Sequence, residues 1–219
     1  MRRLSILSLL TAASVLFVGC ASNRPQTDYS AFRQHHPKSI VVLPPLNNTS
    51  DLRATYSTLS SVTEPLAESG YYVFPVALVD QTFKENGLMN PGEMHLAPPQ
   101  KLFEVFGADA ALYITVSRYG ASSALAGGEV VVEAQATLID TRTATKLWQG
   151  SARASDAEGK QQQNGLIGLL VQGIVNQISN SMGDPGARIA RTTNQRLLGA
   201  HDGGLLYGPR SPKFETTQT

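Results

Sequence analysis

The sequence predicts an α/β fold of the α+β kind, with a mixed sheet of about five strands and helices packed on it. Two patterns support this prediction. Between Ser39 and Val76 a short strand, an amphipathic helix and a second strand follow one another, as in a parallel strand–helix–strand unit. Between Ala110 and Ala152 longer alternating strands are joined by a tight turn, as in an antiparallel hairpin.

The first half of the predicted domain alternates short strands with helices. Residues 39–43 are apolar and β-branched and stop at Pro44, which predicts a buried strand. Residues 52–69 have apolar positions three and four apart, which predicts a helix that Pro65 kinks or interrupts. The remaining predictions are a strand at 71–76, a helix at 77–86, a turn at 90–92 and a helix at 100–106.

The second half of the predicted domain is antiparallel, because two alternating strands flank a short polar turn. The predicted strands are 110–119, 129–140, which is the longest, and 146–152, with the turn at 140–145. A broad apolar face predicts a helix at 164–182 that covers one face of the sheet. Residues 187–198 predict a further short, basic helix.

The first twenty residues look like an export signal. Arg2 and Arg3 precede an apolar run over residues 4–18, and the run ends at Gly19 and Cys20. This ending resembles a bacterial lipobox, although Phe17 stands where that pattern prefers Leu. The resemblance implies cleavage between Gly19 and Cys20, a diacylglycerol on the Cys20 thiol and an acylated new amino terminus.

Two other interpretations of this segment compete with the lipoprotein signal. A transmembrane anchor needs roughly 20 apolar residues, and the run is shorter and contains Ser5, Ser8, Thr11 and Ser14. An ordinary secretory signal would make the cysteine incidental. Cys20 is the only cysteine in the chain and stands at the modification position, which favours the lipoprotein.

The predicted organisation is a signal peptide over residues 1–19, a lipidated flexible tether over 20–38, the α/β domain over 39–199 and an extended tail over 200–219. Loss of Arg2 and Arg3 changes the formal charge from +1 to −1. A near-neutral chain without a basic run argues against a nucleic-acid partner. Once Cys20 is acylated, no thiol remains for a disulfide.

No pattern of catalytic or metal-ligating residues stands out. His35 and His36 are adjacent in a polar segment, which is not the spacing of a metal site, and His95 and His201 are expected to be solvated. Nucleophile-elbow, phosphate-loop and dinucleotide motifs do not occur. We expect no enzyme activity, cofactor or metal. We also expect Trp148 in the core and wet hydroxyls on four sheet tyrosines, Tyr71, Tyr72, Tyr113 and Tyr119.

Several segments together resemble a known family. Residues 40–45 with Asn47, the stretch 138–141 and the stretch 147–150 resemble bacterial outer-membrane lipoproteins whose function is not established. That family is similar in fold to the amino-terminal domain of the TolB translocation protein. It is more distantly similar to the curli secretion channel lipoprotein and to the outer-membrane activators of penicillin-binding proteins. The resemblance covers most of residues 39–198 and carries over no catalytic residue.

The resemblance implies a non-catalytic binding or scaffold lipoprotein of the cell envelope. Ala21 and Ser22, rather than Asp, follow the cysteine, which implies the outer membrane and a body that faces the periplasm. The implied partners are the bilayer through Cys20, further copies of the chain as a homo-oligomer, and other envelope lipoproteins, such as one like the curli channel. Expected contact regions are residues 46–51, residues 120–128 and the tail from Gly203, whose deletion should leave folding intact.

Two other function classes were considered. A pore-forming secretion component would need two amphipathic hairpins with strands of transmembrane length, and only residues 129–140 are long enough, although they contain Glu133 and Gln135. An envelope hydrolase would need clustered carboxylates in a cleft. Glu129 and Glu133 share a strand, and we expect them on its wet side.

Overall fold

A computed structural model describes residues 28–121, 129–158, 184–201 and 204–217. The strands are β1 Ser39–Val42, β2 Leu46–Asn47, β3 Tyr72–Val73, β4 Ala110–Ala121, β5 Val130–Asp140 and β6 Lys146–Ser155. The helices are α1 Ser30–His35, α2 Ala54–Leu59, α3 Thr63–Glu68, α4 Val76–Glu85, α5 Pro91–Met94, α6 Pro99–Phe106 and α7 Pro185–Leu198. A 3₁₀ turn, Glu215–Thr217, follows.

The strands form one mixed, six-stranded sheet, which confirms the predicted fold class. Its order is β3-β1-β4-β5-β6, and β2 also pairs with β4. The pairs among β1, β2, β3 and β4 are parallel, whereas β4, β5 and β6 are antiparallel neighbours. The sixth strand is β2, which resumes pairing along β4 after the interruption at Pro44 and Pro45.

Both faces of the parallel half of the sheet are covered by helices. On one face, Ile40, Leu112 and Leu138 pack with residues of α1, α2, α3 and α7 and with the buried Trp148. On the other face, Val41 and Leu43 pack with residues of α4, α5 and α6. The burial of Trp148 confirms its predicted place in the core.

The predicted interruption of the helix at 52–69 is confirmed, whereas the predicted turn at 90–92 is wrong. The segment 52–69 forms two helices, and the break at Ser60–Val62 lies before Pro65, which is itself inside α3. The proline ring clashes with the carbonyl four residues earlier, so a continuous helix cannot run through this point. The predicted turn at 90–92 is the start of α5, where Asn90 Oδ1 accepts a 3.0 Å hydrogen bond from Glu93 N in a capping box.

Both predicted flexible ends contain packed segments. Residues 30–35 were predicted as tether, yet they form α1 and Phe32 is only 2% exposed. The tail was predicted to be extended, yet Leu205 and Leu206 are buried in the same core cluster as Phe32. Burial of these few apolar side chains stabilises both segments against the sheet and α3.

Several predicted elements lie outside the described residues. These are the signal peptide with Gly19 and Cys20, the helix at 164–182 and most of the joint at 120–128. Within the described part, α7 contacts β5, β6 and α2, so this basic helix covers one face of the sheet. The predicted strand at 71–76 is paired only at Tyr72–Val73, because Pro75 begins the approach to α4.

Candidate membrane and partner surfaces

Histidines do not form a metal site in the part of the chain that is described. His35 Nδ1 lies 2.9 Å from Asp140 Oδ2, whereas the His36 ring packs edge-on to Phe214 at a centroid distance of 6.3 Å. No group of three or more His, Cys, Asp or Glu residues within the described ranges is placed to hold a metal ion. The adjacent histidines therefore make two different contacts, one with a carboxylate and one with an aromatic ring.

His95 was expected to be solvated, but its ring is partly buried. Its Nε2 lies 2.9 Å from the Pro44 carbonyl oxygen, and its ring packs edge-on to Tyr113 at 5.3 Å. Burial lowers the pKa of His95, although the contact with the Pro44 oxygen opposes this effect. His95 thus fixes the turn after β1 as a mostly neutral side chain. His201 is exposed, as predicted, and its Nδ1 lies 2.7 Å from the oxygen of nearby Gly199.

The end of the sheet where β1 and β4 begin contains two carboxylates that hold backbone in place. Asp109 Oδ2 accepts hydrogen bonds from Lys38 N at 3.0 Å and Ser39 N at 3.2 Å. Asp140 Oδ1 accepts from Arg142 N at 3.0 Å and Thr143 N at 2.8 Å in the β5–β6 turn. These bonds join the start of β1 and the β5–β6 turn into one rigid end.

Asp140 is a buried, charged group whose charge is satisfied. Burial by itself raises the pKa of Asp140, but hydrogen bonds from Thr143 and His35 outweigh this effect, so the pKa lies below its ordinary value. The carboxylate is therefore ionised and holds α1 to the β5–β6 turn through His35.

The N-terminal and C-terminal segments lie together at this same end. The Tyr29 hydroxyl donates a hydrogen bond to the Gly204 carbonyl. The Arg210 guanidinium lies 5.4 Å from the centroid of the Tyr72 ring, and Tyr72 N donates to the Lys38 carbonyl at 3.0 Å. We call this surface the terminal face; its members are His36, Lys38, Tyr72, Tyr207, Arg210, Lys213 and Phe214.

The opposite side of the molecule exposes large apolar side chains around the turn that follows β1. Leu52 is 89% exposed and Leu96 is 82% exposed. Both are close to the Pro44–Pro45 turn, because Thr55 Oγ1 donates to the Pro45 carbonyl at 3.2 Å and His95 contacts the Pro44 carbonyl. We call Leu52, Leu96 and the half-exposed Tyr56 the loop-end patch.

The predicted contact loop at 46–51 is ordered by its own polar groups. Asn47 Nδ2 donates to the Asp51 carbonyl at 2.8 Å, and Asn47 Oδ1 accepts from Thr49 N at 2.9 Å. Such side-chain bonds to nearby backbone are typical of stable turns. The loop therefore presents Leu52 on a fixed base.

A polar cluster lies where α7 begins. Asp184 Oδ2 accepts hydrogen bonds from the Tyr119 hydroxyl at 2.6 Å and from Ser57 Oγ at 3.1 Å. Burial and the bond to Asp184 both raise the pKa of Tyr119. A serine that contacts a carboxylate directly, without a histidine to take its proton, is not an activated nucleophile. The cluster fastens α7 to α2 and β4.

Neither of two clefts that are lined by described residues has the convergent carboxylates of a hydrolase site. A groove of about 410 Å³ between α4 and α6 is lined mainly by apolar groups, including Phe83, Leu88 and Val105. A wider cleft of about 610 Å³ includes Glu68 and Tyr207. Hydrolysis of the expected kind needs convergent carboxylates, and Glu68 is the one carboxylate that lines these two clefts.

Two of the tyrosine predictions are also wrong. The Tyr71 hydroxyl is not wet, since Tyr71 is 3% exposed and its hydroxyl donates to the Leu206 carbonyl at 2.6 Å. Tyr119 donates to Asp184. Sequence reasoning missed these contacts because each partner lies more than 60 residues away along the chain.

Within the described helices, none combines the length and apolar composition that crossing a bilayer requires.

The chain is similar to lipoproteins from Neisseria. A family model described as "Putative lipoprotein GNA1162-like" matches residues 27–210. "Putative lipoprotein NMB1124/NMB1162" of Neisseria meningitidis serogroup B is 44% identical over 206 residues, which cover 92% of this chain and 95% of that protein. None of these names indicates an enzymatic activity.

Solved structures agree with this relationship. The crystal structure of lipoprotein GNA1162 from Neisseria meningitidis has 46% identity and a TM-score of 0.53, and the match covers 66% of this chain and 99% of that one. A PelC dodecamer from Paraburkholderia phytofirmans has 13% identity and a TM-score of 0.41 over 74% of this chain and 86% of its own, too low for its assembly to bear on this chain. The predicted relationship to bacterial lipoproteins is thus confirmed, and the chain belongs to the GNA1162-like lipoprotein family.

Proposed function

We propose that this protein is a non-catalytic lipoprotein, held in the outer membrane through acylated Cys20, whose body faces the periplasm. In this role it is a binding or scaffold component of a cell-envelope assembly or export system. The observation that carries the proposal is membership of a lipoprotein family over residues 27–210, combined with Gly19 and Cys20 at the end of an apolar signal. Three buried acyl chains make such an attachment effectively permanent.

The loop-end patch is the proposed site for a partner protein. Leu52 and Leu96 are the two most exposed large apolar side chains in the described part of the chain. Apolar side chains on a rigid base cost little entropy when they become buried, which suits them to anchor an interface. The terminal face lies at the other end of β1, so a chain anchored near α1 presents the loop-end patch away from its own termini.

Self-association is the second part of the proposal, and the outer edge of the sheet supports it. β6, Lys146–Ser155, is an outermost strand, and no described strand pairs with its other edge. Along this edge Arg196 Nη1 donates to the Arg153 carbonyl at 2.9 Å. The small residues Gly150, Ser151 and Ala152 precede Arg153 in β6 and allow another strand to approach closely.

Lipid attachment and partner contact are tested together in intact cells. Photo-crosslinking residues replace Leu52 or Leu96 in one pair of variants. A variant at the exposed Gln149 of β6 reports on self-association, and a variant at the exposed Glu104 of α6 is the control. Each variant is made with Cys20 and with Cys20→Ala. We expect mass spectrometry of the purified protein to show a diacylglyceryl and an acyl group on Cys20. We also expect crosslinks at positions 52 and 96 that Cys20→Ala removes.

Two results would contradict the proposal. A mature protein that carries no acyl chain would remove the anchor and the membrane location. Crosslinks that form at position 149 but not at positions 52 and 96 would remove the loop-end patch and point instead to the β6 edge. Size-exclusion chromatography with light scattering measures the copy number, and a monomer at micromolar concentration would contradict self-association.

A further inference from the structure

We infer that the terminal face binds the headgroups of anionic phospholipids, so that the body lies against the bilayer instead of hanging free from its anchor. This inference rests on the proposed lipid attachment and adds a second, electrostatic contact with the membrane. It concerns a surface assembled from the two ends of the chain and the start of β3.

Geometry brings the terminal face close to the anchor. Seven residues, 21–27, separate Cys20 from the first described residue. A fully extended chain gains about 3.3–3.6 Å per residue, so this segment spans at most about 30 Å. Tyr29 and α1 follow immediately, and Tyr29 bonds to Gly204 of the C-terminal segment. A protein acylated at Cys20 therefore keeps this end near the headgroups.

The charge on the terminal face fits an anionic surface. Lys38, Arg210 and Lys213 are exposed and have no carboxylate partner among the described residues. The Asp109 carboxylate accepts from Lys38 N at this surface, and its charge is paired with Arg142 at 3.1 Å. Asp28, Glu68 and Glu215 are exposed acidic residues of the neighbouring segments. Lys and Arg side chains near an anionic leaflet are attracted to its headgroups.

Aromatic rings lie next to these cations. Lys213 Nζ is 5.5 Å from the centroid of the Tyr207 ring, and Arg210 lies over Tyr72, which is 41% exposed. Rings with one apolar and one wet part are enriched at membrane–water interfaces, where long cationic side chains also reach headgroups. At the loop-end patch Lys84 Nζ lies 5.3 Å from the centroid of the Tyr56 ring, but Lys84 is paired with Asp80 at 2.7 Å. The cations of the terminal face have no such carboxylate partner among the described residues, so the two ends suit different partners.

The test uses the mature-length chain without its lipid, residues 20–219 with Cys20→Ser, so that binding depends on the folded surface alone. Sedimentation is measured with vesicles of phosphatidylglycerol and phosphatidylcholine, and with vesicles of phosphatidylcholine only. We expect binding to the anionic vesicles alone, and we expect it to weaken as salt rises. Arg210→Glu with Lys213→Glu should weaken binding by at least about tenfold.

The matched control reverses the same number of charges elsewhere. Arg118 and Arg188 are exposed and belong to β4 and α7, near the opposite end. Arg118→Glu with Arg188→Glu should bind like the unchanged protein. Equal loss in both double variants, or no binding of the unchanged chain to anionic vesicles, would overturn the inference.

A second measurement needs no variant. Lysine-reactive labelling of the unchanged chain should show protection of Lys38 and Lys213 by anionic vesicles, while Lys84 and Lys101 stay equally reactive. Protection of Lys84 and Lys101, with Lys38 and Lys213 equally reactive, would also overturn the inference. These results are independent of the proposed function, because absence of acyl chains from the native protein would leave vesicle binding by the unacylated chain unchanged.

Discussion

At the scale of single residues, the packing of Trp148 against Gly150 shows how tightly this core is fitted. Trp148 is 3% exposed, and a methyl group on Gly150 would lie 2.7 Å from its Cη2 atom. No real Cβ approaches a heavy atom that closely. Gly150 is therefore required for space, and the indole ring fills the position that a side chain would take.

Gly150→Ala should destabilise the protein by about 1–3 kcal/mol, because the buried indole must move out of its site. The free energy of unfolding is measured by urea titration, followed by far-ultraviolet circular dichroism, which also reports on a variant without tryptophan. In a Trp148→Phe background the ring is smaller, so the same substitution should cost less. An equal cost in both backgrounds would show that contact with the indole is not the cause.

Asp140 gives a stability that depends on pH. Because its folded pKa is below the ordinary value, its ionised form stabilises the fold. That contribution is complete above about pH 4, the ordinary range for an unfolded aspartate, and is lost as the pH falls through the folded pKa.

Asp140→Asn should therefore lower the free energy of unfolding at pH 7 by about 1–3 kcal/mol, since the charge that faces His35 is lost. The difference from the unchanged protein should shrink as the pH is lowered towards 3. Urea midpoints at both pH values measure this, with Glu104→Gln on the exposed face of α6 as the control. A difference that stays constant with pH would exclude the ionised carboxylate as the source.

At the scale of elements, the strands were the most predictable part. Alternation with a period of two is a strong signal, and β4, β5 and β6 appear where it predicts them. The helices were less predictable, since α2 and α3 share one continuous apolar pattern that Pro65 divides. The sequence contains the capping-box pair of α5, Asn90 and Glu93, but the run Asn90-Pro91-Gly92 is also typical of a turn.

The two packed terminal segments were not predictable by the same reasoning. Phe32 lies in a largely polar segment, and Leu205 and Leu206 form a short apolar run between glycines, so neither segment shows a helical or strand period. Their burial depends on contacts across the whole chain, such as the bond from the Tyr71 hydroxyl to the Leu206 carbonyl. The terminal face was missed for this reason, whereas the loop at 46–51 was identified because turn residues mark it locally.

The C-terminal segment is held by a close contact between two glycines. Gly70 has a φ of +97°, and a methyl group on it would lie 2.8 Å from the Gly208 carbonyl oxygen. Gly208 N donates to the Ser69 carbonyl at 2.8 Å. Absence of side chains at both positions lets the backbones touch.

Gly70→Ala should loosen residues 204–217, which hydrogen exchange measures as lost protection. Gly87→Ala is the matched control, because Gly87 has a similar φ of +86° and open space around it. Both variants carry the strain of a left-handed alanine, about 1 kcal/mol, but only Gly70→Ala forces the segments apart. Equal protection of 204–217 in the two variants would contradict this assignment.

At the scale of the whole molecule, one core cluster joins the two ends of the described chain. It extends in sequence from Phe32 to Leu206 and includes residues of β1, β4, β5 and β6. The body is therefore larger than the predicted domain of residues 39–199. The earlier expectation that the last residues are dispensable for folding does not fit this packing.

Deletion of residues 204–219 should lower the free energy of unfolding by several kcal/mol, since removal of one large buried side chain costs about 2–5 kcal/mol. Deletion of residues 215–219 removes only exposed or undescribed side chains and should have little effect. Chemical denaturation of both truncated proteins measures the difference. A long deletion that leaves the urea midpoint unchanged would show that Leu205 and Leu206 do not support the core.

The burial of Leu205 and Leu206 beside Phe32 has a consequence for the rate of folding. This core is complete only when residues from both ends of the described chain have met. Contacts between positions so distant in sequence form slowly, because the entropy of closing a long loop must be lost first.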